Sequence, residues 1–485
     1  GDALANAGQG PQAADSYLAA TSGATRADAL DLRRRAAEQL LRSGRIDEGI
    51  AETRTVLSAI NESFPKTIIW ALILLFARRI QIRLRGLSFK SRDASQVPDA
   101  ELRKIDVCYS VAALLGVVDT VRGALFQTHN VILALRAGEP IRVSRAISLE
   151  VGYSSVGGGK TAKRTAELAR LSNQLAQRTC DFGAMATSNL AESLSAYLEG
   201  RWRYAKEKAE HAENMFREHC TGVFWEISTT VFVSTGALAY LGEVRRLSNR
   251  VRVIHREALD RRDLYAALNV CSGFQNLAWL ANDDPVGART VTAEAIAQWS
   301  KAGVHIQHFS DLFAQTNIDL YEGQPSLALE RVQSNWTRMR RAMLLEIQQN
   351  RNEINDMLAR SAIASAAQRK SVRDNLQIAA RAATQIEHED MPWSNPLAKR
   401  LRAAVAFVGG QPNLAIPLLG DAADGFERCG MHLFMQAARW CRGNLIGGIV
   451  GSTDVASAED WMLSEGIRTP PRLIDTLVPG FPTQD

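Results

Sequence analysis

A helix-breaking signature recurs along this chain at a nearly constant interval. Gly323–Pro325 is matched by Gly410–Pro412, and related breaks lie near residues 44, 200, 242 and 283. Glycine suits the C-terminus of a helix because it accepts positive φ, and proline suits the first turn of the next helix because its missing N–H costs nothing there. The breaks at 200, 242, 283 and 323 are 42, 41 and 40 residues apart, and the step from 323 to 410 covers about two more units. A fixed period in this range predicts stacked helical hairpins.

The segments between the breaks carry helical periodicity. From Leu264 to Ala281 the apolar residues recur every three or four positions, and signals for β-strands are almost absent. The unit is longer than the roughly 34 residues of a tetratricopeptide repeat. The predicted fold is an all-α superhelical solenoid of antiparallel hairpins, extended relatives of that repeat with a period of about 40 residues. We divide it into N-terminal hairpins (1–180), central repeats (181–430), and capping helices with a tail (431–485).

Composition restricts the classes of partner. With 46% hydrophobic and 22% charged residues, the 485-residue chain is not disordered. A net charge of +5 is too small for this length to indicate a nucleic-acid partner. The apolar run Thr67–Ala77 is shorter than the roughly 20 residues that cross a membrane, so we expect a buried helix and no membrane contact. Six cysteines without a CxxC pair indicate neither disulfides nor zinc and favour a reducing cytoplasm.

Two short motifs resemble parts of nucleotide-dependent enzymes. Gly157–Thr161 ends like a phosphate-binding loop, but Ser154 stands near the place of the required first glycine, and a helix is expected before it. We therefore favour an inter-helix loop over a nucleotide site at Lys160. Asp181–Gly183 spells the metal-binding tripeptide of protein kinases, yet no catalytic loop or ATP clamp precedes it. We expect no catalytic residue on this chain.

A histidine pair is the remaining candidate for metal chemistry. His305 and His308, with Asp311, could approach one another on one helical turn. Two histidines and one distant carboxylate make a weak ligand set, so we favour a histidine pair packed at the start of a hairpin. We expect no metal or cofactor.

The first helix of each hairpin should line the concave face of the solenoid, where such proteins bind partners. Candidate partner-binding residues lie at helical spacing on two such helices: Tyr265, Asn269, Ser272, Asn276 and Trp279 on one, and His308, Asp311, Gln315 and Asp319 on the next. Aromatic and amide groups on one line suit a peptide, a protein surface or a small signalling ligand. The alternative, which is more common for such positions, is packing between repeats or simple solvation.

Several runs taken together resemble a known family. They are Arg33–Leu41, Gly44–Gly49, Leu84–Leu87, Ile105–Cys108, Leu135–Pro140, Glu199–Trp202, Asp263–Ala266, Asn276–Leu280, and the ending with Trp461–Met462, Gly466–Ile467 and Pro479–Phe481. The ordered set resembles the C-terminal repeat region of large bacterial serine/threonine protein kinases. In that family a kinase domain and an AAA/STAND-type ATPase precede the repeats.

The resemblance implies a non-catalytic sensor region in signal transduction. The kinase and ATPase domains, with their ATP and Mg²⁺, would lie upstream of Gly1 and act with the repeats in cis. Two alternatives stay open. One is the repeat region of an ATP-dependent transcriptional regulator, although no helix-turn-helix is visible after Trp461. The other is a nucleotide-binding enzyme fragment that uses Lys160 and Thr161.

Overall fold

The computed structural model describes residues 1–301 and 303–482, and over this part of the chain the regular structure is helical throughout. Five short 3₁₀ turns connect some of the α-helices. In chain order the α-helices are α1 (Asp2–Asn6), α2 (Gly10–Ala20), α3 (Arg26–Arg42), α4 (Ile46–Ala59), α5 (Ile68–Arg85), α6 (Asp99–Val118), α7 (Thr120–Ala137), α8 (Pro140–Ser155), α9 (Ala162–Thr179), α10 (Phe182–Leu198), α11 (Trp202–His219), α12 (Phe224–Leu241), α13 (Val244–Asp260), α14 (Leu264–Cys271), α15 (Leu277–Leu280), α16 (Pro285–Gln298), α17 (Ile306–Tyr321), α18 (Pro325–Arg341), α19 (Gln348–Ala367), α20 (Val372–Glu389), α21 (Ser394–Val408), α22 (Pro412–Arg428), α23 (His432–Ile446), α24 (Gly448–Ser464) and α25 (Pro470–Leu477).

The predicted breaks are the tips of helical hairpins. Residues 200, 242, 283, 323 and 410 all have positive φ, between 55° and 83°. Pro325 and Pro412 begin α18 and α22, as the sequence pattern indicated. The long step between them contains one more hairpin, whose tip includes Arg369 at φ 64°. The all-α solenoid of paired helices is confirmed.

The two helices of each hairpin differ in how much of their surface is buried. Helix α11, the second helix of the hairpin whose tip is Gly200, buries one stripe of residues spaced three or four apart: Trp202, Ala205, Ala209, Ala212 and Phe216. The first helix α12 is buried on all sides between residues 228 and 241, apart from the partly exposed Phe232. Helices that are apolar all round occupy interiors. The first helices therefore form the inner layer of the solenoid, and the second helices form its outside.

The superhelix returns onto itself after about five hairpins. Gly159 N–H donates to Gln348 Oε1 (3.0 Å), 189 residues along the chain, and Gln348 N–H donates to the Val156 carbonyl (3.0 Å). Arg245 N–H donates to the carboxylate of Glu465 across 220 residues. Successive superhelical turns are therefore in direct contact.

An aromatic cluster fills the contact between the two turns. Trp202 stacks on Tyr240 in the first turn, with ring centroids 3.9 Å apart, and Trp393 from the second turn packs edge-on against Trp202 at 5.5 Å. Both tryptophans are buried. Gly200 has φ 78°, and a methyl group added there would overlap the Trp393 ring. A glycine at this hairpin tip thus permits both the turn and the close approach.

A buried charge network fastens the C-terminal helix. Asp356 on α19 pairs with Arg400 on α21 and accepts a hydrogen bond from Arg360 Nε (2.8 Å). Arg360 also donates to the Thr476 carbonyl (2.8 Å), and Arg400 donates to the Leu477 carbonyl (2.5 Å). Two guanidinium groups therefore satisfy the last carbonyls of α25, which a helix leaves without an internal partner.

The expectation of a buried helix at Thr67–Ala77 is wrong. Helix α5 forms there, but it packs mainly on α7, and most of its large apolar side chains are exposed; only Ala71 and Ile82 are fully buried. The length of the run did not reveal this, because burial depends on whether a second layer covers the helix. Within the described residues, no helix combines the length and the apolar character needed to cross a bilayer.

Candidate functional site

A cavity of about 230 Å³ lies inside the superhelix. Its wall comes chiefly from the inner helices α6, α8, α10, α12, α14, α17 and α19. The ring of helices closes where α19 begins beside the end of α8, through the Gln348–Val156 hydrogen bond. The cavity is thus the axial space of about one superhelical turn, lined by first helices of the hairpins as the sequence predicted for the concave face.

Aromatic rings make up much of the wall. They are Tyr153, Tyr197, Trp225, Phe232, Tyr265, Phe274, Phe309 and Phe313. Several of these rings contact one another, such as Phe274 and Phe313 at 5.8 Å in an edge-on arrangement. Tyr153 turns its hydroxyl away, to the Ala112 carbonyl (2.7 Å). A concave aromatic surface of this kind suits a compact apolar ligand.

Polar atoms without a protein partner face this apolar space. Gln307, only 2% exposed, has no hydrogen bond to its side-chain Nε2 or Oε1 from any described residue. Asn269 Nδ2 and Trp225 Nε1 are also buried and make no hydrogen bond of normal geometry, but both lie near the Tyr265 hydroxyl. Leaving such groups unpaired costs about 1–3 kcal/mol each, so native proteins seldom retain them without a reason. Gln307 therefore offers one donor group and one acceptor to a ligand.

Glu353 supplies the one carboxylate of the described cavity wall. Its Oε1 accepts hydrogen bonds from Tyr240 (2.5 Å) and Gln349 (2.9 Å), whereas no described residue donates to Oε2. Burial raises the pKa of Glu353 to about 7, and the nearby charge of Asp356 adds to the rise. A cation bound beside Oε2 would stabilise the ionised carboxylate.

The first predicted line of binding residues does not lie on one continuous helix. Helix α14 ends at Cys271, and Gly273 at φ 62° starts a 3₁₀ turn before the short α15. Tyr265, Asn269 and Ser272 line the cavity. Asn276 instead donates to the carbonyls of residues 271 and 288, and Trp279 packs edge-on against His255, so these two side chains join helices.

The second predicted line faces the outer helices. Asp319 is fully buried and pairs with Arg289 of α16 and Arg331 of α18 at 2.9 and 2.6 Å. Gln315 accepts from Arg289 and lies within hydrogen-bond distance of Asp311. These contacts are the packing between repeats that we considered as the alternative. A binding role for His308, Asp311, Gln315 and Asp319 stays a prediction.

The two enzyme-like motifs have structural roles. Gly158–Lys160 is a 3₁₀ turn between α8 and α9, and the Gly159 amide already donates to Gln348. The helix that precedes this turn differs from the strand that precedes a phosphate-binding loop. Asp181 caps α10 by accepting from the Ala184 amide at 2.7 Å. The inter-helix loop is confirmed.

The histidine pair lies at the start of α17. His308 Nδ1 accepts from the His305 amide (3.0 Å), and His305 Nδ1 accepts from the indole N–H of Trp299 (3.0 Å). Burial lowers the pKa of His308. The described residues contain no group of three or more His, Cys, Asp or Glu that could hold a metal ion. The arrangement agrees with a packed histidine pair at the hairpin entry.

Sequence reasoning missed Trp225, Gln307 and Glu353. Gln307 stands between the two histidines that drew attention, but its spacing gives no sign of its orientation. The apolar composition of α12 all round was a usable signal, since it marks an inner helix. Glu353 reaches the cavity only because α19 returns to α8 one turn later.

The comparisons with known proteins do not assign this chain to a family. No protein-family model matches the chain, and a search of curated proteins returned no match. A similar solved structure is the crystal structure of a Rap protein complexed with competence and sporulation factor, with 10% sequence identity and a TM-score of 0.40. The alignment covers 90% of this chain and 99% of that one. With a TM-score below 0.5, we infer nothing about ligand or partner from it.

Proposed function

We propose that this chain is a non-catalytic regulatory scaffold that binds a small ligand with an aromatic ring in its axial cavity. The ligand carries an amide group and a protonated amine. The observation that carries the proposal is the Gln307 side chain, whose donor and acceptor are both buried and unpartnered at a cavity lined by aromatic rings. An amide in the ligand satisfies both atoms of Gln307, and the amine pairs with Glu353 Oε2.

The position of the cavity supports regulation. It is bounded by inner helices from several consecutive hairpins, and the turn closes through contacts between α8 and α19. A ligand that binds one spacing of these helices more tightly than another shifts the curvature of the whole array. In the kinase-like arrangement that the sequence resembles, the shift passes to ATPase and kinase domains in cis, in the cytoplasm. That parentage belongs to the proposal, as does the alternative of a transcriptional regulator.

Calorimetric titration with phenylalaninamide tests the binding site. This probe has one aromatic ring, one amide and one protonated amine. We expect binding to the wild-type chain, loss of binding in Gln307→Leu, and unchanged binding in Gln298→Leu, a matched change on the exposed face of α16. N-acetylphenylalaninamide lacks the amine and should bind more weakly. Equal binding by both glutamine variants, or no binding by the wild type, would contradict the proposal.

The nucleotide-binding alternative has a separate test. Titration with ATP and Mg²⁺, with Lys160→Ala as the control variant, should give no heat of binding, because the Gly159 amide already donates to Gln348. Binding that Lys160→Ala abolishes would restore that alternative.

A further inference from the structure

Helix α5 carries the largest set of exposed apolar side chains on any described helix. Ile69, Ile73, Phe76, Ile80 and Leu84 are 44–83% exposed and follow at intervals of three or four residues. They form one stripe about 23 Å long on a straight helix. Exposed apolar surface of this extent marks contact with a protein or a membrane.

The opposite face of α5 fixes the helix to the rest of the fold. Ala71 packs in a small cluster with Val121 and Leu125 of α7, and Arg79 forms an ion pair with the buried carboxylate of Glu150. Arg85 donates to the Leu135 carbonyl at 3.0 Å. The stripe is therefore presented outward by a helix that is itself held in place.

The segment that contains the stripe is basic. Residues 63–92 contain seven Lys and Arg and no Asp or Glu, whereas the whole chain has a net charge of only +5. The rest of the chain is therefore net acidic. Lys66, Arg83, Lys90 and Arg92 are exposed, and none forms an ion pair with a described residue. Lys66 precedes the N-terminus of α5, Arg83 lies in its last turn, and Lys90 and Arg92 follow its C-terminus.

We propose that the α5 stripe docks on an anionic membrane surface, with α5 lying in the plane of the headgroups. Apolar side chains enter the acyl boundary, while Lys and Arg meet the negative headgroups. Trp70, which is 53% exposed, is of the residue type that favours this interface. This proposal departs from the expectation of no membrane contact, which was argued from a run too short to span a bilayer; lying on a surface has no such length requirement.

A second copy of the chain fits this surface less well. A two-fold contact would place the stripe against itself, and the segment has no acidic side chain to meet Arg83 of the other copy. Like charges brought together at an interface oppose association. Charge complementarity therefore favours the anionic lipid surface over self-association.

Co-sedimentation of the full chain with lipid vesicles tests the proposal. We expect binding to vesicles of phosphatidylglycerol and phosphatidylcholine, no binding to phosphatidylcholine alone, and weaker binding at high salt. Ile73→Ser with Phe76→Ser should lower the partition coefficient about tenfold or more. Ile449→Ser with Val450→Ser is the matched control, since these side chains are also exposed but lie on α24.

Three results would overturn the proposal. The first is no binding to the anionic vesicles. The second is equal loss of binding in the α5 and α24 variants. The third is a wild-type chain that binds no vesicles but forms a dimer, detected by light scattering, and an α5 variant that is monomeric. This result would assign the stripe to contact with a second copy. Circular dichroism of each variant verifies that the helical fold is retained.

Discussion

Replacing Asp356 should destabilise the protein strongly, because this carboxylate is the anion shared by two buried guanidinium groups. Asp356 is 6% exposed, Arg360 is 2% exposed and Arg400 is fully buried, so water cannot replace the lost partner. Burial lowers the pKa of Arg400 to about 10, which shows how poorly its environment solvates the charge. Removal of one member of a buried ion pair costs about 3–5 kcal/mol. We expect a loss of this size for Asp356→Ala, and a loss near its lower end for Asp356→Asn.

The assay is urea unfolding followed by far-UV circular dichroism, with Asp374→Asn as the matched control. Asp374 is an exposed carboxylate on α20, and its replacement should change the free energy of unfolding by less than about 0.5 kcal/mol. Hydrogen exchange adds a local readout, because Arg360 and Arg400 also hold the carbonyls at the end of α25. The amides of α25 should exchange faster in the Asp356 variants. A stability loss no greater than that of Asp374→Asn would refute the role given to this network.

Three further predictions concern the cavity and the contact between turns. Gln307→Leu should raise the free energy of unfolding of the ligand-free protein by about 1 kcal/mol, because it removes an unpaired amide. Asn276→Leu should lower it by about 1–3 kcal/mol, because the Asn276 amide is hydrogen-bonded to two carbonyls. Thermal unfolding of both variants measures the two opposite changes. The pKa of Glu353 in the folded state is about 7, above its ordinary 4.5, so the folded protein binds more protons than the unfolded chain between these pH values. The free energy of unfolding therefore decreases as pH rises through that window. Glu353→Gln should make this decrease smaller, as measured by urea unfolding at several pH values. Gly200→Ala should lower the free energy of unfolding by about 1–3 kcal/mol more than Gly323→Ala, as measured by urea unfolding. Both glycines have positive φ, but only a methyl group at position 200 would overlap the indole of Trp393. Equal losses of stability in the two variants would contradict a role for the packing between turns.

The sequence was a good guide to local structure. The breaks at 200, 242, 323 and 410 were predictable because the glycine and proline requirements of a hairpin tip are local. The capping role of Asp181 also follows from neighbouring residues, since its partner amide is three positions away.

The site depended on features that local patterns do not contain. Gln348 meets Gly159 only because the superhelix returns after 189 residues, and this return also brings Glu353 to the cavity. Helix α5 was predicted as buried because its run is apolar, but no second layer covers it. The break at Gly273 disrupted the predicted line of residues after Ser272, since that line assumed one uninterrupted helix.

The contact between turns limits how this array can change in length. In an open solenoid each repeat touches only its neighbours, so one repeat can be inserted or deleted with local effects. Here the loss of a single hairpin between Gly159 and Gln348 would shift the following helices by one place against the preceding turn. Trp393 would no longer meet Trp202, and α19 would no longer close the ring beside α8. The number of hairpins per turn is therefore set by specific pairings, and the protein should tolerate substitutions on its outer helices far better than a change in repeat number.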